Sequence, residues 1–480
     1  MLIGIDVGTT AVKAALFDEM GHVLKSFGQR YPTQRPAPGH VEQNADDWMR
    51  LVDAALQEFN TDGVKAIGLC SQVNTHVFVD ANGKALLPAM TWQDGRCADE
   101  AARLDMQISV EEKLNWWGAP LPVDASHVLA RMAYVAEHHP DIWAKTRWVM
   151  APKDYCLFHL TGEVVTDAMT AFGIVDGDLS LIHRLLDLVP GAAERLPSLA
   201  PFTKIIGKTR NNIPMVTGTM DAWSGMFGAG VCEDGQALYL SGTSEILGIV
   251  SSQKAPVPGV IAFPRCEGIT LHAGPTQSGG ASVEWLSRLL GKSASELSEL
   301  AANADTTIPL PLFLPHLEGE RAPLWDINAR AAFAGLNSSM GAAEISRAVF
   351  EGVAYSARLV MESLEASASL RPTEINHSGG GASSDIWCQI RADVLGRPIR
   401  RMKMRDAGVL GAALMAGVGV GMFGSLREAA KEFVMVDRVF EPDTREIARH
   451  DVGFDKYKLL YRQLKSVNGT RLVFSHMNLC

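Results

Sequence analysis

Two stretches of the chain carry the same apolar and polar signature. LIGIDVGTTAVKAALFD, at the N-terminus, reads as two short apolar strands around a tight turn, and ALYLSGTSEILGIV, in the middle, reads the same way. Each puts a small glycine and hydroxyl cluster at the turn: Gly8-Thr9-Thr10 in the first, Gly242-Thr243-Ser244 in the second. The two turns lie almost half a chain length apart. This spacing predicts two halves of similar architecture, 1–235 and 236–480, each opening on a hairpin, with the boundary at Glu233-Asp234-Gly235.

Strands and helices alternate between these landmarks. Asn44 is placed to cap a helix that carries Asp46 and Asp47 in its first turn and Trp48, Leu51, Val52, Ala55, Leu56 and Phe59 on one face. Residues 64–69 read as a strand. Residues 76–80 and 84–92 read as a hairpin closed by a type I′ turn at Asn82-Gly83. In the second half, residues 343–364 read as a long helix. Residues 374–377 are a strand running into Gly379-Gly380-Gly381, and the apolar-periodic helix 385–395 follows. Mixed alternation with hairpins predicts α/β layers. The uncharged, glycine-crowded run 408–424 is short of the ~20 residues that span a bilayer and is expected to be a buried helix.

Composition narrows the function classes. The chain has 480 residues, 47% hydrophobic and 20% charged, which is globular and long enough for two large domains. Its net charge of −10 argues against nucleic-acid and anionic-membrane partners, which need clustered positive charge. Seven cysteines, with no C-x-x-C, fit neither a disulfide framework nor a zinc ribbon and point to a reducing compartment. Asp6 interrupts what would be the apolar core of a signal peptide, so a cytoplasmic, soluble protein is expected. No Ser-His-Asp order and no H-E-x-x-H stands out, and the pair His138-His139 before Pro140 reads as a surface helix end.

Several positions could carry chemistry. A glycine after a strand lets backbone N–H groups form an anion nest, and Thr or Ser hydroxyls add donors. Either turn alone would be an ordinary hairpin; the pair, with Asp6 before the first, points to a nucleotide-phosphate clasp. Asp6 could hold hydrated Mg²⁺ beside a phosphate, since Mg²⁺ keeps most of its waters and takes few carboxylates. Gly379-Gly380-Gly381-Ala382 permits close backbone approach to a ligand or makes a packing turn, and it is not a P-loop. Asp221, in a small-residue apolar run, is a first-turn helix acid and a candidate general base for a hydroxyl nucleophile. Trp92, Asp94 and Arg96 offer a sugar-stacking face and two hydroxyl-gripping charges, or a capped turn with an ion pair. Gln72, Asn74 and His76 either line a polar pocket or form a solvated strand face.

Taken together these residues resemble the FGGY carbohydrate kinases, of the actin/hexokinase-like ATPase superfamily, over nearly the whole chain. The first hairpin resembles the family's phosphate hairpin, and Trp92-Gln93-Asp94-Gly95-Arg96 its W-x-D-x-R loop. Pro152-Lys153-Asp154-Tyr155, with Leu160-Thr161-Gly162 and Thr166-Asp167, resembles a segment of its first domain. Residues 314–323, LPHLEGERAP, resemble its L-P-x-L-x-G-E-R-x-P loop. Gly335-Leu336 and residues 344–351 fit its second signature, and Gly379 to Ala382 its adenosine-binding G-G-G-A. The resemblance implies two RNase H-like α/β domains with an interdomain cleft, the N-terminal one binding sugar and the C-terminal one ATP. It implies Asp221 as catalytic base and Gly8, Thr9, Thr10, Lys13, Gly242, Thr243 and Ser244 around the phosphates, with Mg²⁺ near Asp6. Gln72, Asn74, Thr75, His76, Trp92, Asp94, Arg96 and Ala222 would line the sugar. A homodimer is the family default.

Length and TWQDGR are most like the xylulokinase branch, which implies a ketopentose such as D-xylulose as acceptor. The chain departs from that branch in three places. It has Gln72-Val73-Asn74-Thr75 for Q-M-H-G, Asp221-Ala222 for D-N, and Ser126-His127-Val128-Leu129 for a lysine-containing P-K-L-L. These departures keep glycerol, a tetritol or another polyol as alternative acceptors. From a different class, a non-catalytic, actin-like ATP-binding protein is the rival.

Overall fold

The computed structural model describes residues 1–468 and is mixed α/β. It divides into two compact units: Met1–Glu233 with Ala262–Leu271 and Asp406–Met435, and Asp234–Ile261 with His272–Arg405 and, among the described residues, 436–468. The chain first passes between them at Glu233/Asp234, but two later segments return to the first unit, so a boundary at 235 describes only the first crossing.

The first unit is built on a sheet of order Ile205–Lys208, Pro214–Val216, Ala66–Ser71, Leu2–Val7, Ala11–Phe17, Val23–Arg30. Leu2–Val7 pairs antiparallel with Ala11–Phe17 and parallel with Ala66–Ser71. Helix Ala45–Phe59 covers one face. The Asn44 side chain accepts from the Asp46 N–H at 3.1 Å, and Trp48, Leu51, Val52, Ala55 and Phe59 are buried. That face is the one the periodicity predicts.

The other face receives helix Ala407–Gly419, which runs against Leu2–Val7 and Ala66–Ser71. Glycine permits this approach: a Cβ added at Gly4 or Gly68 would collide with the Val409 or Ala412 carbonyl. The uncharged run is thus a buried core helix as far as Gly419, while its last five residues lie beyond the helix, with Gly421 and Gly424 exposed. No helix among the described residues is long and apolar enough to cross a membrane.

One expected hairpin is different in the structure. Val77–Val79 pairs chiefly with Trp148–Met150, and Ala89–Met90 with Glu42–Gln43. The two arms are joined to each other by the isolated bridges His76↔Met90 and Val79↔Ala85 and by single backbone bonds such as Leu86 N–H to the Phe78 carbonyl, not by a strand ladder. Gly83 takes a left-handed φ of 80° but Asn82 does not, so the turn is not type I′. The Asp80 carboxylate organises it instead, accepting from Asn82 and Lys84 N–H at 2.8 and 2.9 Å.

The second unit repeats the connectivity. Leu271–Pro275, Glu245–Val250, Ala237–Ser241, Ile375–Ser378 and Ile399–Met402 lie in that order, with Val436–Phe440 beyond. Ala237–Ser241 pairs antiparallel with Glu245–Val250 and parallel with Ile375–Ser378. Its position in the sheet corresponds to that of Leu2–Val7 in the first unit. The predicted long helix is Ala342–Ala368, and helix Asp385–Leu395 follows the triple glycine. Buried Tyr239, Leu247, Ile249, Val360, Leu364, Ile375 and Ile399 form the core between them.

Candidate functional site

In both units the residues singled out from sequence gather at strand ends, where parallel sheets place ligands. In the first unit, Asp6 lies opposite Lys13 in the hairpin register. Lys13 Nζ reaches Asp406 Oδ1 at 2.6 Å, at the start of helix Ala407–Gly419. Asp6 Oδ1 is buried and has no hydrogen-bond partner among the described residues. Burial pushes the Asp6 carboxyl up to about 6; Lys13 pulls it down and Asp406 pushes it up. A buried carboxylate oxygen left without a donor fits the hard-oxygen donor set of a hydrated Mg²⁺.

Behind the turn lies a closed polar network. Tyr31 OH donates to the Gly8 carbonyl, Gln43 Nε2 to the Thr9 carbonyl at 2.7 Å, and Trp92 Nε1 to Thr9 Oγ1 at 3.0 Å. Gln72 Nε2 donates to Gln43 Oε1 at 2.8 Å, and Thr75 Oγ1 to Gln72 Oε1 at 3.1 Å. Gln72 and Thr75 are buried and spend these groups on the protein. They brace the hairpin turn and Trp92, and are not a solvated strand face.

Asp94 and Arg96 also find each other. Arg96 Nε and Nη2 donate to the two Asp94 oxygens at 2.9 and 2.6 Å, and Nη2 also reaches Glu42 at 2.7 Å. Burial raises the Asp94 carboxyl, but the Arg96 and Val41 hydrogen bonds outweigh it and hold it below its ordinary value. Asn74, in a left-handed conformation with φ of 51°, donates to Ser126 Oγ at 3.1 Å. His76 Nδ1 faces Arg131 Nη1 at 2.8 Å, and burial together with that cation keeps the ring neutral. Arg131, fully buried, also donates to the Asn74, Met90 and Thr91 carbonyls and pins both arms of the segment. Nothing in its local sequence marks it.

Asp221 is the first residue of helix Asp221–Gly228, directly after strand Thr219–Met220. It is part-exposed, and its Oδ1 accepts from the Ala222 N–H at 2.8 Å. Ala222 is buried beside it.

In the second unit the Gly242–Ser244 turn meets a helix N-terminus that sequence reasoning missed. The N–H groups of Gly279, Gly280 and Ala281 donate to the Thr243, Gly242 and Thr243 carbonyls at 2.9–3.0 Å, as helix Gly280–Leu290 begins. The signal was readable, since Gly279-Gly280 stands between a strand and an apolar helix just as Gly379 to Gly381 does. Gly379 has φ of 96°, and a Cβ at Gly379 or Gly381 would collide with Ser241. The triple glycine therefore lies against the end of the hairpin strand, and Ala382 is buried behind it. Glu320 and Arg321 of the LPHLEGERAP loop grip the segment before Gly279: Glu320 accepts from the Gln277 N–H at 2.6 Å and Arg321 Nε donates to the Thr276 carbonyl at 3.2 Å.

Comparison with known proteins gives the same picture. Residues 1–228 match the FGGY carbohydrate kinase N-terminal domain and residues 237–420 its C-terminal domain. A xylulose kinase of Escherichia coli K12 is 29% identical, covering 97% of this chain and 99% of that one. A glycerol kinase of Aromatoleum aromaticum is 31% identical, covering 93% and 96%. The structure of a ligand-bound xylulose kinase from Lactobacillus acidophilus superposes with a TM-score of 0.87 at 25% identity, covering 97% and 99%. The chain belongs to the FGGY family of carbohydrate kinases and is a phosphotransferase with an alcohol acceptor.

Proposed function

We propose that this carbohydrate kinase transfers the γ-phosphoryl group of ATP to a primary hydroxyl of a small sugar, a ketopentose such as D-xylulose, with Asp221 as the base. The observation that carries the reading is the placement of Asp221, a part-exposed carboxylate at the end of a strand and the start of a helix. Its Oδ1 is held by the neighbouring amide. Such a carboxylate takes the proton from a hydroxyl as that oxygen attacks phosphorus.

The loose transition state of phosphoryl transfer makes positioning and charge stabilisation the protein's main tasks. Thr243 and Ser244 offer backbone and hydroxyl donors to phosphate, while the Gly242 N–H closes the turn on the Ser244 carbonyl. Gly380, where an added Cβ would meet nothing, leaves room for a nucleoside. Thr9, Thr10 and Lys13 supply the corresponding donors in the first unit, and the Gly8 N–H closes that turn on the Ala11 carbonyl. Mg²⁺, held through Asp6, would neutralise phosphate charge. Asn74, His76 and Trp92 are the remaining candidates for sugar contact. Gln72, Thr75, Asp94 and Arg96 act by shaping that wall, since their polar groups are engaged with one another.

A second reading is favoured by Ala222 and by the glycerol kinase relative: without the amide of an Asn at 222, a shorter polyol is a better fit. Coupled ADP production with Mg-ATP across ketopentoses, ketohexoses, pentitols, tetritols and glycerol separates the two. Asp221→Asn should lower turnover about 10²–10⁴-fold on the best acceptor. Undiminished turnover in that variant would sink the assignment of the base.

A further inference from the structure

The first unit contains a buried ionic cluster that the proposed mechanism does not use. Lys153, at the N-terminal turn of helix Pro152–Thr161, is fully buried, with Nζ 2.5 Å from Asp154 Oδ1 and 3.2 Å from Asp167 Oδ1. Burial alone would lower the Lys153 pKa, but the two carboxylates raise it above its ordinary value, so the ammonium stays charged. Two further bonds of the cluster reach the short piece of chain before Asp221. Lys153 Nζ reaches the Thr217 carbonyl at 3.4 Å, and the Lys153 N–H donates to Ser71 Oγ at 3.2 Å. Thr219 Oγ1 donates to Asp167 Oδ2 at 2.7 Å, an oxygen that also accepts from Met169 and Thr170 N–H. Thr219 and Met220 pair with Cys70 and Ser71. Asp221 is the next residue.

A buried lysine between two aspartates is costly to assemble and adds little net stability over an apolar core of the same volume. It does provide rigid, directional anchoring. We propose that Thr219, held by Asp167, which Lys153 in turn pairs with, is a positioning residue for Asp221: the cluster fixes the strand end from which the base projects. The inference rests on Asp221 being the base. It assigns no contact with substrate to Thr219, Asp167 or Lys153. Misplacing a reacting group by about 1 Å costs on the order of 10²-fold in rate, so loosening this strand end should act on kcat.

The test removes one hydroxyl without changing shape. With Mg-ATP and the best acceptor of the panel, Thr219→Val should lower kcat about 10–100-fold with both KM values within about twofold. Thr219→Ser, which keeps the hydroxyl, should stay within about threefold of the parent. In an Asp221→Asn background Thr219→Val should cost nothing further, because a group acting through Asp221 has nothing left to position. Should the valine variant fail to fold, Thr219→Cys, whose thiol is a weak donor, carries the same comparison. Parental kcat in Thr219→Val beside a crippled Asp221→Asn overturns the inference and leaves the base assignment standing. So does a loss that multiplies in the double variant, or one that appears in KM. Full activity of Asp221→Asn overturns the base assignment, and this inference falls with it.

Discussion

The two hairpins share a topology but treat their carboxylates in opposite ways. In the first, Asp6 Oδ1 is buried without a donor, and its nearest cation, Lys13, is bonded to Asp406. In the second, Glu245 sits just after the turn and is saturated. Tyr239 OH and Ser241 Oγ donate to it at 2.6 and 2.8 Å, and Arg391 Nη2 at 2.7 Å, with both charged groups fully buried. Arg391 also donates to the Gly381 carbonyl and lies 3.9 Å over the Trp387 ring. One carboxylate keeps a buried oxygen without a donor among the described residues, at a cost in stability. The other joins the Gly242–Ser244 turn to the triple-glycine turn and is structural. A repeated fold thus repeats backbone placement without repeating side-chain roles.

The contrast can be broken at three points. The largest effect should come from the saturated carboxylate. Arg391→Met leaves Glu245 charged in a dry interior and should destabilise the protein by about 3–5 kcal/mol in denaturant unfolding. A loss below about 1 kcal/mol would mean that the pair is solvated and the contrast unreal.

Asp6→Asn should have the opposite sign. An acid whose folded pKa is raised favours the folded state most below its unfolded pKa, and this stability is lost as pH rises through the folded value. For Asp6 the window runs from 3.8 to about 6. The amide variant should therefore flatten the stability profile across that window. It should also gain at most about 3 kcal/mol at neutral pH while losing sugar-dependent ADP production. Unchanged stability together with unchanged activity would remove Asp6 from the site.

Lys13→Met should give the smallest change in stability. The Lys13–Asp406 pair is close to half exposed, 45% and 39%, and worth about 0–1 kcal/mol. Because Lys13 lowers the Asp6 pKa, its removal should move the Asp6 limb of the stability profile to higher pH. A shift to lower pH would show that Lys13 does not face Asp6.

Much of this was legible in the residues. The hairpins, the Asn44 cap, the helix at 385–395 and the place of Asp221 in the first turn of its helix depend on neighbours a few positions away. Capping, periodicity and glycine turns report such short-range relations. The paired loops were legible as loops, but the use of their polar atoms was not. Asp94 and Arg96 offered either a hydroxyl grip or an ion pair, and the geometry selects the ion pair. Arg131 carries no local mark, because its partners at Asn74, His76, Met90 and Thr91 are remote in sequence.

By itself the sequence determined the α/β class, the duplicated hairpins and the glycine and carboxylate positions from which a kinase could be argued. These follow from patterns that repeat every two or three to four residues. The tertiary structure alone decided that helix Ala407–Gly419 completes the first unit, against Gly4 and Gly68 from the opening part of the chain. It also decided which carboxylate keeps an oxygen without a donor among the described residues and which is saturated. Those outcomes depend on burial and on partners brought together by packing, and a buried charge is stabilised or penalised only by what surrounds it in space.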